Sequence, residues 1–136
     1  MQVNPNEVMR RGIISNIFNQ EEQVQQNGID LTIGESVTVP SKGYVNIAVR
    51  EKFDMQDCFG IIVIRSSLSR KGIFCSSGVF DSGFSGVGGL SLYNLSDQPI
   101  SLTPGSRIAQ MIIFQGDAAK QYDGFYNHNK TIQSKM

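Results

Sequence analysis

Apolar residues in this chain recur in short blocks with period two or in brief unbroken runs, each closed by a turn signal. Residues 28–34 alternate, with Ile29, Leu31 and Ile33 on one face and Asp30 and Thr32 on the other. Residues 36–39 and 44–49 predict two further strands, separated by Pro40-Ser41-Lys42-Gly43. Residues 59–64 form a continuous apolar run, and residues 90–95, 98–102 and 108–114 complete the set, with Thr103-Pro104-Gly105 as a turn. Short strands at this spacing predict an all-β sandwich or barrel. One helix is expected near the start, capped by Asn6 and running to about Arg11, with Pro5 stiffening its entry and Gly12 ending it. Residues 13–26 are polar and read as a surface connection. Residues 116–136 are polar too, and read as a frayed tail or a flap that orders on a ligand.

Within that pattern, residues 77–94 stand out. Val79 and Phe80 lead into a lone acid, Asp81, and Ser82-Gly83 follows, which predicts a strand delivering a carboxylate to a hairpin bend. Gly78, Gly83, Gly86, Gly88 and Gly89 are more glycines than a strand built only to pack would carry. They suit a backbone that approaches a flat or phosphorylated ligand.

Composition narrows the possibilities. The chain has 136 residues, enough for one domain, with 12 basic and 12 acidic side chains and no net charge. A duplex nucleic-acid binder carries a basic excess that is absent here, although a few converging arginines can still hold a small anion. Cys58 and Cys75 stand without a CxxC pattern or a neighbouring His, as buried thiols of a reducing compartment do. The N-terminus shows neither a basic segment followed by an apolar core nor a span long enough to cross a membrane, so a cytoplasmic location is expected.

Two segments carry further candidate chemistry. Arg65-Ser66-Ser67-Leu68-Ser69-Arg70-Lys71-Gly72 follows directly on the apolar run 59–64, and supplies guanidinium forks and hydroxyls of the kind a polyphosphate needs. A polar turn would read the same way. Gln110 interrupts the apolar strand 108–114 and needs partners if buried, whether ligand or neighbouring strand. Other hydrolytic designs are excluded. His128 is the only histidine and lies in the tail, which disfavours a Ser-His-Asp triad. Neither a zinc-deaminase signature nor a Gly-x-x-x-x-Gly-Lys-Ser/Thr loop is present. Water and phosphate chemistry would rest on carboxylates, arginines and a metal.

Four segments, in order, resemble the motifs of the trimeric dUTPase and dCTP deaminase superfamily: Gly28-Ile-Asp-Leu31, Arg65-Ser-Ser-Leu-Ser-Arg70, Gly78-Val-Phe-Asp-Ser-Gly-Phe-Ser-Gly86 and Pro104-Gly-Ser-Arg-Ile-Ala-Gln110. The resemblance covers nearly the whole chain, and the early helix and the spelling of the second motif are nearer the deaminase branch. It implies a distorted jelly-roll (β-clip) subunit, a homotrimer with shared sites, a pyrimidine deoxynucleoside triphosphate as ligand, and Mg2+ on its phosphates. Carried over by position, Asp81 would orient and deprotonate water. Arg65, Ser66, Ser67, Arg70 and Gln110 would hold phosphates, and Asp30 would lie near the metal through water. Ser77, Gly78, Val79 and Phe80 would read the base edge by backbone groups, Phe84 would pack under the deoxyribose, and Phe125 would cover the base.

The two branches need different residues. The deaminases use a glutamate ten residues after the aspartate of the third motif, where this chain has Ser91, and no glutamate follows Glu51. A serine does not shuttle protons near neutral pH. Cleavage between the α- and β-phosphates needs one carboxylate on a water, cations on the phosphates and in-line geometry. The expected activity is therefore hydrolysis of dUTP to dUMP and pyrophosphate. A dCTP deaminase or bifunctional enzyme, and a nucleotide-binding regulator without turnover, are the alternatives.

Overall fold

The computed structural model describes residues 1–117. Most of the segment expected as a lid, and Phe125 with it, lies outside the described residues. The chain folds as the expected distorted all-β jelly roll, with three short helices among the described residues. In order these are α1 (Pro5–Arg10), β1 (Ile14–Ser15), α2 (Gln20–Gln23), β2 (Ile29–Thr32), β3 (Val37–Val39), β4 (Tyr44–Asp54), β5 (Cys58–Ile64), α3 (Ser66–Ser69), β6 (Ile73–Ser76), β7 (Ser85–Asn94), β8 (Ile100–Leu102) and β9 (Arg107–Gln115). One sheet has the order β1-β4-β7-β6, a second β2-β9-β5, and β3 pairs with β8. Every strand pair among the described residues is antiparallel.

Alternation explains the core. On β4, Ile47, Val49, Glu51 and Phe53 face inward, and their outward neighbours are more exposed. Ile47, Val49 and Phe53 meet Leu90 and Leu92 of β7 and Ile108, Met111 and Ile113 of β9 in one apolar cluster. The run in β5 is less buried than its composition suggests, since Ile61 and Val63 are exposed.

Two expectations need correction. The first helix is capped by Asn4, whose Oδ1 accepts the Asn6 N–H at 2.8 Å, so Pro5 lies in the first turn, where its missing N–H costs nothing. Gly12 follows the helix with φ +73°. Residues 13–26 are only in part a surface connection: most of residues 15–26 are exposed, but Ile13, Ile14 and Gln23 reach the core. Ile13 and Ile14 are fully buried, β1 pairs with β4, and Gln23 anchors α2 inside the fold. Tertiary burial overrode a locally polar composition. The alternation of β2 does not divide core from solvent: Asp30 and Thr32, opposite Ile29 and Leu31, are buried as well.

Candidate active site

Strand β9 is the middle strand of its sheet, and Gln110 lies on it between Asp30 of β2 and Val63 of β5. Antiparallel partners project to the same face, so Asp30 and Gln110 share a side of the sheet. Gly28 leaves room for the Gln110 side chain. A Cβ there would lie 2.8 Å from Gln110 Cγ and 2.5 Å from the Met111 carbonyl oxygen.

Asp30 is 3% exposed, and a charge so placed needs compensation. Its Oδ2 accepts from Gln25 Nε2 at 2.9 Å and from Arg107 Nη1 at 3.2 Å, and Arg65 Nε lies 3.9 Å away. The two arginines are tied together in turn, since Arg65 Nη1 donates to the Arg107 carbonyl at 3.3 Å. Arg107 Nη1 also donates to the Glu22 carbonyl at 3.0 Å. Both arginine side chains remain about a third exposed, so positive charge faces outward from an acid that is already neutralised. Beyond Arg65, α3 is anchored by buried Leu68, with Ser66 and Arg70 exposed and Ser67 partly so. The second and fourth motifs thus converge with Asp30 on one cationic patch.

Asp81 is elsewhere. The Phe80 N–H and carbonyl exchange 2.9 Å hydrogen bonds with Gly60 of β5, and the chain then bends through Ser82 and Gly83, whose φ is +88°. Gly60 precedes Val63, the partner of Gln110, by three residues, about 10 Å along the strand. The Asp81 carboxylate is exposed, and among the described residues no donor is placed on it. The expected strand before it is absent: β6 ends at Ser76, and Ser77, Gly78 and Val79 are exposed and unpaired in any sheet. The Ser77 hydroxyl donates to the Gly78 carbonyl at 2.9 Å.

Phe80 and Phe84 are each 7% exposed within this chain and meet edge to face, with centroids 5.7 Å apart, while Phe80 also meets Phe53 at 4.9 Å. Gly88 is there for these rings: a Cβ would lie 2.5 Å from Phe53 and 2.8 Å from Phe80. At this position the glycine serves packing, contrary to the expectation drawn from glycine density.

Ser91, at the branch-defining position, donates through Oγ to Asn46 Oδ1 across the β4–β7 ladder. Glu51, the last glutamate of the chain, is fully buried, with its carboxylate bonded to Thr32 and Gln23. Among the described residues there is no group of three His, Cys, Asp or Glu side chains able to hold a metal ion. Asp30 alone, already bonded by Gln25 and Arg107, does not by itself make a resident metal centre.

The reading of residue types passed over Arg107, Gln25 and Gln23. Arg107 could have been found, because it occupies the fourth motif two residues from buried Ala109 and three from Gln110. The glutamines gave no local signal, since their partners are distant in sequence or meet them only through the fold of α2 onto β2.

A family model described as dUTPase matches residues 16–134. The chain is 32% identical to a dCTP deaminase of Pyrococcus furiosus over 90% of its own length and 89% of that protein's. It is 36% identical to a probable deoxyuridine 5'-triphosphate nucleotidohydrolase of Halobacterium salinarum over 53% of this chain and 42% of that one. In fold it is similar to the EIAV dUTPase, with a TM-score of 0.63 at 22% identity over 87% of this chain and 95% of that one. The matched segment contains all four motifs and the arginine–aspartate patch they form, and the chain belongs to the dUTPase family, within the superfamily that dUTPases share with dCTP deaminases.

Proposed function

We propose that this chain hydrolyses dUTP to dUMP and pyrophosphate, taking the nucleotide as its Mg2+ complex. Arg65, Arg107, Arg70, Gln110 and the hydroxyls of Ser66 and Ser67 hold the triphosphate. Asp30 fixes the two inner arginines and would lie near the metal through water. The Asp81 carboxylate orients a water and takes its proton as the water oxygen bonds to the α-phosphorus. The bond from that phosphorus to the α,β-bridging oxygen breaks, and its electron pair leaves with pyrophosphate. The arginines and the substrate's Mg2+ offset the charge that develops on the phosphates.

Ser91 is the observation that carries the choice of reaction. Deamination of cytosine needs a second acid to move protons to the ring nitrogen and the leaving ammonia. A hydroxyl bonded to Asn46 stands at that position, and Glu51 is buried away in its bonds to Thr32 and Gln23. The separation of Asp81 from the arginine patch within one chain supports a site completed by neighbouring copies, in a homotrimer. The exposed backbone of residues 77–79 is then free to meet the base edge, with Phe84 bordering the sugar.

The similarity to a dCTP deaminase over most of the chain favours a second reading, deamination of dCTP. Incubation of the purified protein with dUTP and with dCTP, in Mg2+, separates the two. Pyrophosphate and dUMP from dUTP, with no ammonia from dCTP, is the expected result. Ammonia from dCTP reverses the assignment, and tight dUTP binding with no product over hours marks a regulator.

A further inference from the structure

Glu51 is 0% exposed, and among the described residues no cation pairs with it. An acid in this setting is unexpected on β4, where the same inward face carries Ile47, Val49 and Phe53. Burying a carboxylate costs several kcal/mol unless well-placed hydrogen-bond donors offset the lost hydration. Here it is matched by three donors: Thr32 N–H reaches Oε1 at 2.9 Å, while Thr32 Oγ1 and Gln23 Nε2 reach Oε2 at 2.6 and 2.8 Å.

The amide of Gln23 cannot turn over. Its Oε1 accepts from the Phe18 and Asn19 N–H groups at 2.9 and 2.7 Å, and its Nε2 also donates to the Asp30 carbonyl at 2.9 Å. Glu51 therefore meets a fixed donor on each oxygen, the Thr32 N–H on one and the Gln23 amide on the other. A carboxylate accepts both, whereas the amide of a glutamine would oppose one of them with N–H against N–H.

Gln23 in turn seats α2 on β2 beside Asp30. The preceding residue, Glu22, offers its carbonyl to Arg107 Nη1 at 3.0 Å and to Gln25 Nε2 at 2.7 Å. Those same two nitrogens hold the Asp30 carboxylate. Two hydrogen bonds and the peptide link between Glu22 and Gln23 therefore connect Glu51 to Arg107.

We infer that Glu51 and Gln23 are positioning residues for the triphosphate: they fix α2 so that its Glu22 carbonyl and Gln25 aim Arg107 at the phosphates. The inference rests on the proposed phosphate site and does not depend on which reaction follows binding. Neither residue touches the nucleotide.

The test measures binding of inorganic tripolyphosphate, and KM and kcat for dUTP, in Glu51→Gln, Arg107→Ala and the double variant, with circular dichroism to confirm folding. In folded Glu51→Gln, tripolyphosphate binding weakens about tenfold, KM rises in parallel and kcat stays within about twofold. With Arg107→Ala already present, adding Glu51→Gln changes binding by less than about twofold, because both changes act through one guanidinium. Unchanged binding in folded Glu51→Gln, or a full loss that persists without Arg107, overturns the inference. Gln23→Met, close in volume and leaving Glu51 its two Thr32 donors, carries the same prediction if Glu51→Gln does not fold. A wild-type chain that binds tripolyphosphate but deaminates dCTP overturns the hydrolase reading and leaves this one standing. A wild type that binds neither tripolyphosphate nor dUTP overturns both.

Discussion

Arg107 and Asp30 meet at 3.2 Å across the β2–β9 ladder, and Asp30 is almost wholly buried while Arg107 keeps about a third of its side chain in solvent. The buried acid fixes one nitrogen of the guanidinium and leaves the rest of the group at the surface. Arg107→Ala is expected to raise KM for dUTP on the order of tenfold or more, with a smaller effect on kcat. Arg107→Lys restores the charge but not the planar fork, and recovers only part of the loss. An unchanged KM in Arg107→Ala would remove this residue from the phosphate site. The Asp30 carboxylate left behind still has Gln25 and the more distant Arg65, so the stability cost is about 1–3 kcal/mol, below that of breaking a fully buried pair.

Asp81 tests the chemistry with little risk to the fold. Its carboxylate is exposed and holds no described donor, so Asp81→Asn should shift stability by no more than about 0.5 kcal/mol. Pyrophosphate release should fall on the order of a hundred- to ten-thousandfold, with dUTP binding retained. Turnover at the wild-type rate would exclude Asp81 as the base.

Gly88 tests the packing behind the bend. A methyl group at this position meets the Phe53 and Phe80 rings at 2.5 and 2.8 Å, and both rings are closely packed. Gly88→Ala should destabilise the chain by about 1–3 kcal/mol, read as a lower urea midpoint with an unchanged slope. Because Phe80 leads directly into Asp81, the folded variant should also lose activity. A neutral substitution would show that the rings have room to move.

A pH dependence is built in where α1 meets the turn before β5. Asp57 accepts from Arg11 Nη2 at 2.7 Å, and hydrogen bonds from Gln115 and Arg11 hold its carboxyl below the ordinary value of 3.8. A carboxyl depressed in the folded state contributes stability that is present above its unfolded value and is lost as pH falls through the folded one. The contribution is therefore complete at neutral pH and disappears below about pH 4. The difference in urea midpoint between wild type and Asp57→Asn should close as pH falls through that range, and a constant difference would assign the contact no electrostatic part. The carboxylate is largely solvent-facing, so the effect is small.

The short-period alternation of residues 28–34, the turn signals and the order of the four motifs were enough to indicate an all-β chain of this superfamily. They also marked Arg65, Asp81 and Gln110, because strand period and turn chemistry are local properties of adjacent residues. The burial of Ile13, Ile14 and Gln23, and the inward turn of Asp30 and Glu51, were decided by the packing of β1, α2 and β2 onto β4 and β9. Those contacts join residues far apart in sequence, and no local pattern records them. The same holds for the site: the residue types that suit phosphate chemistry stand in the sequence, but only the tertiary structure brings Arg107 onto Asp30 and sets Asp81 at the far end of β5, since strand pairing, not spacing along the chain, fixes which side chains share a face.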